Sequence, residues 1–458
     1  MKKKRKLLFA SVMIAGILLC IFLLSHNEKI QNIRENTRKL LYGDPIEIST
    51  GIVNNQYFGI SSEGKNATQT TQGINKAIEY ANKNNIEYLK FKEGTYLIDG
   101  VGQRDTPKGI IMRSNLAIDF NNATLKHVKN SSVRYSIINL HQVDNVEIKN
   151  AIMIGDKDEH DYDSINSTHE WGYGIEIKAS TNVKLNHLKI ENMTGDGILI
   201  SDYQQENKRL ESSNIDITNN RISNCRRQGI TIGAARHVKI YQNEIYSIRG
   251  TLPAATIDLE PDNFNQIVDD IEIYDNKLYN ANRLNAIQIH RFIQNVSIYH
   301  NEINGNLLIY ECEDKITVAN NKIANSNVLI QISKETISQD KMINKVLLQN
   351  NEITNSDMTI KNVKDILLEN NKMIDTKLDI ISSTIGLSSN TFLNQKNKRE
   401  YAYCFSLEEG DSSSYQLYAY DNTIQGNYSS EHKIQETNQV TFYTEQESLE
   451  KYINQKFR

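Results

Sequence analysis

The phrases "IDITNNRI" (215–222), "VKIYQNEI" (238–245), "IEIYDNKL" (271–278), "VSIYHNEI" (296–303), "ITVANNKI" (316–323), "VLLQNNEI" (346–353) and "ILLENNKM" (366–373) share one pattern. Two branched apolar residues alternate with polar ones, and an asparagine follows. The aligned asparagines are Asn220, Asn243, Asn276, Asn301, Asn321, Asn351 and Asn371, with weaker continuations at Asn390 in "LSSNTF" and Asn422 in "AYDNTI". Their spacing runs from 20 to 33 residues along the first seven. Helical repeats keep a fixed length, whereas a coil of short strands absorbs insertions in its turns. A second strand precedes each asparagine strand: "YGIEI", "DGILI", "QGITI", "TIDLE", "AIQIH". Each coil therefore holds at least two period-two strands.

This predicts an all-β chain, a single-stranded parallel β-helix with an internal asparagine ladder. An asparagine at each bend bonds its counterpart one rung away and satisfies backbone groups of the turn. The asparagines are structural and none is a functional candidate.

The rest of the chain is read around that solenoid. Residues 1–6, "MKKKRK", form a basic tip, and 7–25 contain an apolar run long enough to span a bilayer. The predicted element is one N-terminal transmembrane signal-anchor, with the basic tip cytoplasmic and the remainder outside. A secreted protein with this segment cleaved is the second reading. Residues 26–50 are a polar stalk or short helix, and 51–130 an N-terminal cap with the first rungs. Residues 131–425 are the β-helix, with an active groove around 155–291, and 426–458 a C-terminal cap ending in a helix. In the N-terminal cap, Ile74, Ala77, Ile78 and Ala81 share one helical face, so that helix covers the open sheet edge. Among the four cysteines, Cys225, Cys312 and Cys404 lie outside the apolar run and are odd in number, reading as buried thiols. A net charge of −4 gives no global field for nucleic acid.

Helix, strand and repeat together resemble the pectate-lyase-like superfamily of right-handed β-helices, which includes polygalacturonase-type hydrolases, polysaccharide lyases and phage tailspikes. In that family a helix precedes an "fP-x-G-x-Y" strand; here the strand is "FKEGTYLI", with Lys92 at the proline position. "IIMRSNLAIDFNNATLKH" (110–127) is similar to the rungs that follow, and the likeness covers roughly 50–425. "GDKDEH" (155–160), "EWGYGI" (170–175), "GDGI" (195–198), "RRQGI" (226–230) and "IDLEP" (257–261) are similar to a bacterial subgroup, membrane-anchored or secreted. The resemblance implies a right-handed solenoid acting on carbohydrate, and tailspikes suggest a trimer. Where polygalacturonases carry "GHG" this chain has "RQG", so their histidine is missing.

Stacking the strands places side chains in columns. Gly174, Gly197, Gly229, Thr256 and Ala286 share one column. Two residues on stand Glu176, Leu199, Thr231, Asp258 and Gln288, and four on stand Lys178, Ser201, Gly233, Glu260 and His290. One residue before come Tyr173, Asp196, Gln228, Ala255 and Asn285. With rungs about 4.8 Å apart, the polar columns crowd into five coils and turn bland after Tyr310. A single outward charge such as Glu176 is usually solvated surface; it is the coincidence that points to a site.

The predicted catalytic set is Asp196, Asp258, Glu260, His290 and Arg227. Glycoside hydrolysis needs a protonated acid and a second carboxylate, and close carboxylates push one pKa up. Arg226, Gln228, Glu176, Trp171, Tyr173, His160, Glu170 and Arg249 are predicted to bind substrate, with arginine suited to a uronate carboxylate. The expected function is extracellular cleavage of an anionic, uronate-containing polysaccharide. The alternatives are a lyase or C5-epimerase using an Arg or His base, and a non-catalytic glycan-binding surface protein. No cofactor is required; calcium is possible, with Asp156, Asp158, Glu159 and His160 as candidate ligands.

Overall fold

A computed structural model describes residues 31–457, except 104–105, 207, 281–283, 313, 334–344, 409–412 and 436–438. The predicted transmembrane segment at 7–25 lies outside the described residues, as does the basic tip. Within them no helix is long and apolar enough to cross a membrane. Residues 31–42 are helical and largely exposed.

The asparagine repeat builds a parallel β-helix with three strands per coil, one more than the minimum read from sequence. One coil runs Gln228–Ile232, Ala235–Tyr241 and Glu244–Tyr246, each pairing in parallel with its equivalent a coil later. The second and third strands of the coils join one 27-stranded sheet, bent at the asparagine corner. The first strands form a separate 13-stranded sheet. The interior is a continuous stack of Ile, Val and Leu from successive rungs, as period-two burial requires.

The corner has a backbone cause. Asn219, Gln242, Asp275, His300, Asn320, Asn350, Asn370, Ser389 and Asp421 each precede a ladder asparagine with φ between 45° and 60°. Asn and Asp tolerate this left-handed conformation better than branched residues. Each ladder amide then points inward. Asn243 Oδ1 accepts from the backbone N–H of Asn220 (2.9 Å) and its Nδ2 (3.1 Å), while Asn243 Nδ2 donates to the Ile217 carbonyl (2.8 Å). The pattern continues through Asn390 to Asn422, so the two weaker continuations are full members.

The N-terminal helix Ala67–Lys83 buries Ile74, Ala77, Ile78 and Ala81 completely. The C-terminal helix Gln446–Lys456 does more than close an end. Tyr452 stacks on Tyr418, its hydroxyl donates to the Ile366 carbonyl, and Lys456 reaches Asp365. The helix therefore lies back along the flank of the last rungs. Cys225 and Cys312 are buried, but Cys404 is only partly buried.

Candidate active-site groove

The groove lies along β1 (Arg134–His141), β2 (Trp171–Lys178), β3 (Ile198–Ser201), β4 (Gln228–Ile232) and the end of β5 (Ala255–Leu259) of the 13-stranded sheet, and β6 (Asn285–His290) follows without lining the cavity. The observed register pairs Glu176 with Leu199, Leu199 with Thr231, Thr231 with Asp258 and Asp258 with Gln288. These are the columns read from sequence. The glycine column has a packing reason: a Cβ on Gly197 would stand 2.7 Å from the Gly229 carbonyl oxygen.

What the columns did not disclose is burial. They point away from the solenoid core, yet Glu176, Asp196 and Asp258 are all 0% exposed. Asp202, the turn carrying Asp262 and Gln266, and Gln103 and Val133 from earlier in the chain edge the sheet. They leave a cavity of about 460 Å³ lined by Trp171, Tyr173, Arg134, Lys178, Arg227, Thr231, Glu260 and Asp262. Trp171, 42% exposed, stands at its rim. Glu260 is the one member of the predicted catalytic acids that lines the cavity; Asp196 and Asp258 lie beneath its floor.

Glu176 is not solvated surface. Its Oε1 contacts Arg134 Nη2 and lies 2.7 Å from Lys178 Nζ, and its Oε2 is 3.5 Å from His141 Nε2. Burial would raise this carboxyl, but the surrounding His141, Arg134 and Lys178 outweigh it and hold it at about 2. It is the counter-ion that fixes two cations in the groove. Arg134, whose guanidinium also lies 5.2 Å over the Tyr173 ring, was not foreseen. The signal was present, because "VRYSIINLH" is the same strand one coil earlier and pairs Arg134 with Trp171.

Beneath the floor, Asp196 Oδ2 lies 3.1 Å from Arg227 Nη1 and 2.9 Å from Thr231 Oγ1. Burial pushes Asp196 up to about 6, against the pull of Arg227 and Thr231. Arg227 is held charged, chiefly by Asp196, and Glu170 stands 3.8 Å from its Nε. Thr231 Oγ1 is 2.6 Å from Gln228 Oε1, and the Gln228 amide bonds Asp258 Oδ2. Burial, then the charge of Glu260, raises Asp258 well above the usual carboxylate range. His290 Nδ1 is 3.8 Å from Glu260 Oε1, and burial lowers its pKa.

Three predicted binding residues serve the segment 155–170 instead. Arg226 Nη1 donates to the carbonyls of Thr168 (2.7 Å) and His169 (3.3 Å), and its guanidinium covers the Tyr162 ring. His160 is buried between Asp156 Oδ2 (2.8 Å) and His169 Nδ1 (2.9 Å). Arg249 is exposed outside the cavity, and its carbonyl accepts from Lys157 Nζ. The four candidate calcium ligands do not converge. Asp156 turns inward, while Asp158 and Glu159 are exposed and Glu159 meets Lys126. Among the described residues no three His, Cys, Asp or Glu side chains cluster as a metal site. Asp202 was also unforeseen: it contacts Arg209 and accepts from Gln266 Nε2 (2.9 Å), tying two wall segments together.

Comparison with known proteins agrees with this architecture. The family model described as "Right handed beta helix region" matches residues 108–256 and, overlapping, 158–339. Two curated relatives come from Bacillus subtilis (strain 168). The uncharacterized protein YclG is 34% identical over 222 residues, which is 46% of this chain and 38% of that one. The SPbeta prophage-derived uncharacterized protein YorA is 33% identical over 153 residues, 31% of this chain and 26% of that one. The chain thus spans well under half the length of either. Among solved structures, the mannuronan C-5 epimerase AlgE4 A-module of Azotobacter vinelandii gives a TM-score of 0.52 at 13% identity, over 84% of this chain and 98% of that one. A tailspike protein of E. coli bacteriophage HK620, in complex with a pentasaccharide, gives 0.54 at 10% identity, over 84% and 78%. At such identities these likenesses concern the fold.

Proposed function

This chain belongs to the right-handed β-helix family, and on that premise we propose that its groove binds an anionic polysaccharide and cleaves a glycosidic bond. The observation that carries the reading is Glu260 facing a walled cavity alongside Arg134, Lys178 and Arg227, with Trp171 at the rim. An aromatic face beside a cleft suits a sugar ring, and guanidinium groups suit its carboxylate. Glu260 is the group that meets the glycosidic oxygen, as acid or base. Asp262, also on the cavity wall, is the second carboxylate. Asp196 and Asp258, being fully buried, act from below rather than on the sugar.

A second reading rests on His290. Burial keeps its imidazole neutral beside Glu260, which suits a base removing the C5 proton of a uronate, in a lyase or epimerase. The two are separated by incubating the full chain with plant and bacterial polyuronates. Reducing ends without ultraviolet-absorbing unsaturated products support hydrolysis. Both together support elimination, and an altered uronate epimer ratio by NMR without cleavage supports epimerisation. Complete inertness, with Glu260→Gln still binding glycan like the parent, would sink the enzymatic reading and leave the glycan-binding one. We further propose that residues 7–25 anchor the chain with the solenoid outside the cell, to be checked by protease accessibility of the solenoid on intact cells.

A further inference from the structure

The side chains under the groove floor form one unbroken hydrogen-bonded row: Asp196, Thr231, Gln228, Asp258. The contacts are Asp196 Oδ2 to Thr231 Oγ1 (2.9 Å), Thr231 Oγ1 to the Gln228 amide (2.6 Å), and the Gln228 amide to Asp258 Oδ2. All four residues are buried. Counting donors along this row fixes its protonation.

A threonine hydroxyl has a single hydrogen, and a glutamine side chain presents one donating and one accepting end. If the Gln228 Nε2 faces Asp258, its Oε1 takes the Thr231 hydrogen. Thr231 is then only an acceptor toward Asp196, so Asp196 must carry a proton. If the amide is turned half a turn from its orientation in the structure, its Nε2 donates to Thr231, and Thr231 donates to Asp196. Its Oε1 then faces Asp258, which must carry the proton. Both arrangements use the same heavy-atom positions, and both need one carboxyl proton. With none, two acceptors abut in a dry site, which is costly.

The groups around the row choose between the two. At the Asp196 end stand Arg227 and, beyond it, Glu170; the buried Tyr173 hydroxyl is near. At the Asp258 end stands Glu260, with His290 beyond it. A cation beside Asp196 and an anion beside Asp258 favour the second arrangement. We propose that Asp196, Thr231, Gln228 and Asp258 share a single proton, held on Asp258 while Asp196 stays ionised against Arg227. Gln228 and Thr231 are then positioning residues that lock the two acids into opposite charge states. An uncharged Asp258 puts no second anion beside Glu260, two residues along the same strand, where Glu260 meets the glycosidic oxygen. That last consequence rests on the proposed function; the proton count does not.

The test is infrared spectroscopy of the full chain with isotope-labelled aspartate, which separates aspartic acid carbonyls from those of glutamic acid. At neutral pH the parent should show one buried aspartic acid band, and Asp258→Asn should show none while melting cooperatively. Two bands in the parent, no band, or a band that survives in Asp258→Asn overturns the proposal. Should Asp258→Asn fail to fold, the band count of the parent alone decides between one and the other numbers. Activity provides the separate arm. Asn mimics a protonated Asp258, so turnover of a cleaved polyuronate should fall less than tenfold in Asp258→Asn and be abolished in Glu260→Gln. A correct band count with no turnover by the parent leaves the proton row standing and removes the enzymatic reading. A correct count with Asp258→Asn as dead as Glu260→Gln makes Asp258 itself the reacting acid and overturns its role as a neutral support.

Discussion

The Arg227 guanidinium lies 3.1 Å from Asp196 Oδ2, and the two residues come from consecutive coils of one sheet. Asp196 is entirely buried, and its other oxygen accepts no hydrogen bond among the described residues. Removing the cation therefore strands a buried carboxylate.

Arg227→Met should cost about 3–5 kcal/mol, the usual penalty for breaking a buried pair from one side. Replacing Asp196 by Asn in the same chain should recover most of it. Denaturant midpoints of the two single variants and the double variant give the comparison; equal losses in the single and double variants would refute the pairing.

Asp196 also sets a pH dependence. Its folded value of about 6 stands above the ordinary 3.8, so the folded state binds the extra proton between them. Its contribution to stability is full below about pH 4 and is lost as pH rises through 6, a change of about 3 kcal/mol. Glu176 runs the other way. Its folded value of about 2 lies below 4.5, so its contribution is present above pH 4.5 and lost as pH falls toward 2. Thermal melts against pH should flatten in the first window for Asp196→Asn and in the second for Glu176→Gln.

Trp171→Ala should leave stability within about 0.5 kcal/mol, as an exposed rim residue does. Loss of an aromatic face is worth about 1 kcal/mol, so glycan affinity should fall about fivefold by calorimetry. An unchanged affinity would remove Trp171 from the binding surface.

Asn301→Ala should destabilise by about 3 kcal/mol, because it orphans the Asn276 N–H and amide that Asn301 Oδ1 accepts, and the Ile273 carbonyl to which Nδ2 donates. Asn422→Ala, at the last step of the ladder, should cost less. Equal chemical-denaturation losses at both positions would contradict the ladder's graded importance.

The solenoid was legible because stacking repeats one side chain at one place, so "NNRI", "QNEI" and "NNKM" announce their corner despite unequal spacing. The columns of the site followed from period two. Their burial did not, because no strand period encodes the path of a loop. The segment 155–170 is held to the sheet by Arg226, whose guanidinium reaches the Thr168 carbonyl from 58 residues away, and is braced internally by His160 against His169. Arg226 and His160 looked like binding residues because their chemistry is right; only the fold reveals that the segment 155–170 already uses them. Arg134 was hidden for a simpler reason: its strand has Ile137 at the column that in the later coils holds Gly174, Gly197, Gly229, Thr256 and Ala286, so it did not align with them.

The C-terminal helix gives the far end of the molecule a character unlike the rest. A solenoid ordinarily frays one rung at a time, since each rung touches only its neighbours. Here Tyr452, Leu449 and Lys456 touch residues of separate coils at Asp365, Ile366, Gly386 and Tyr418. The helix is a clasp across them, so those coils open together or not at all. The final stretch of the protein is a single cooperative block set at the end of a chain of weakly independent links.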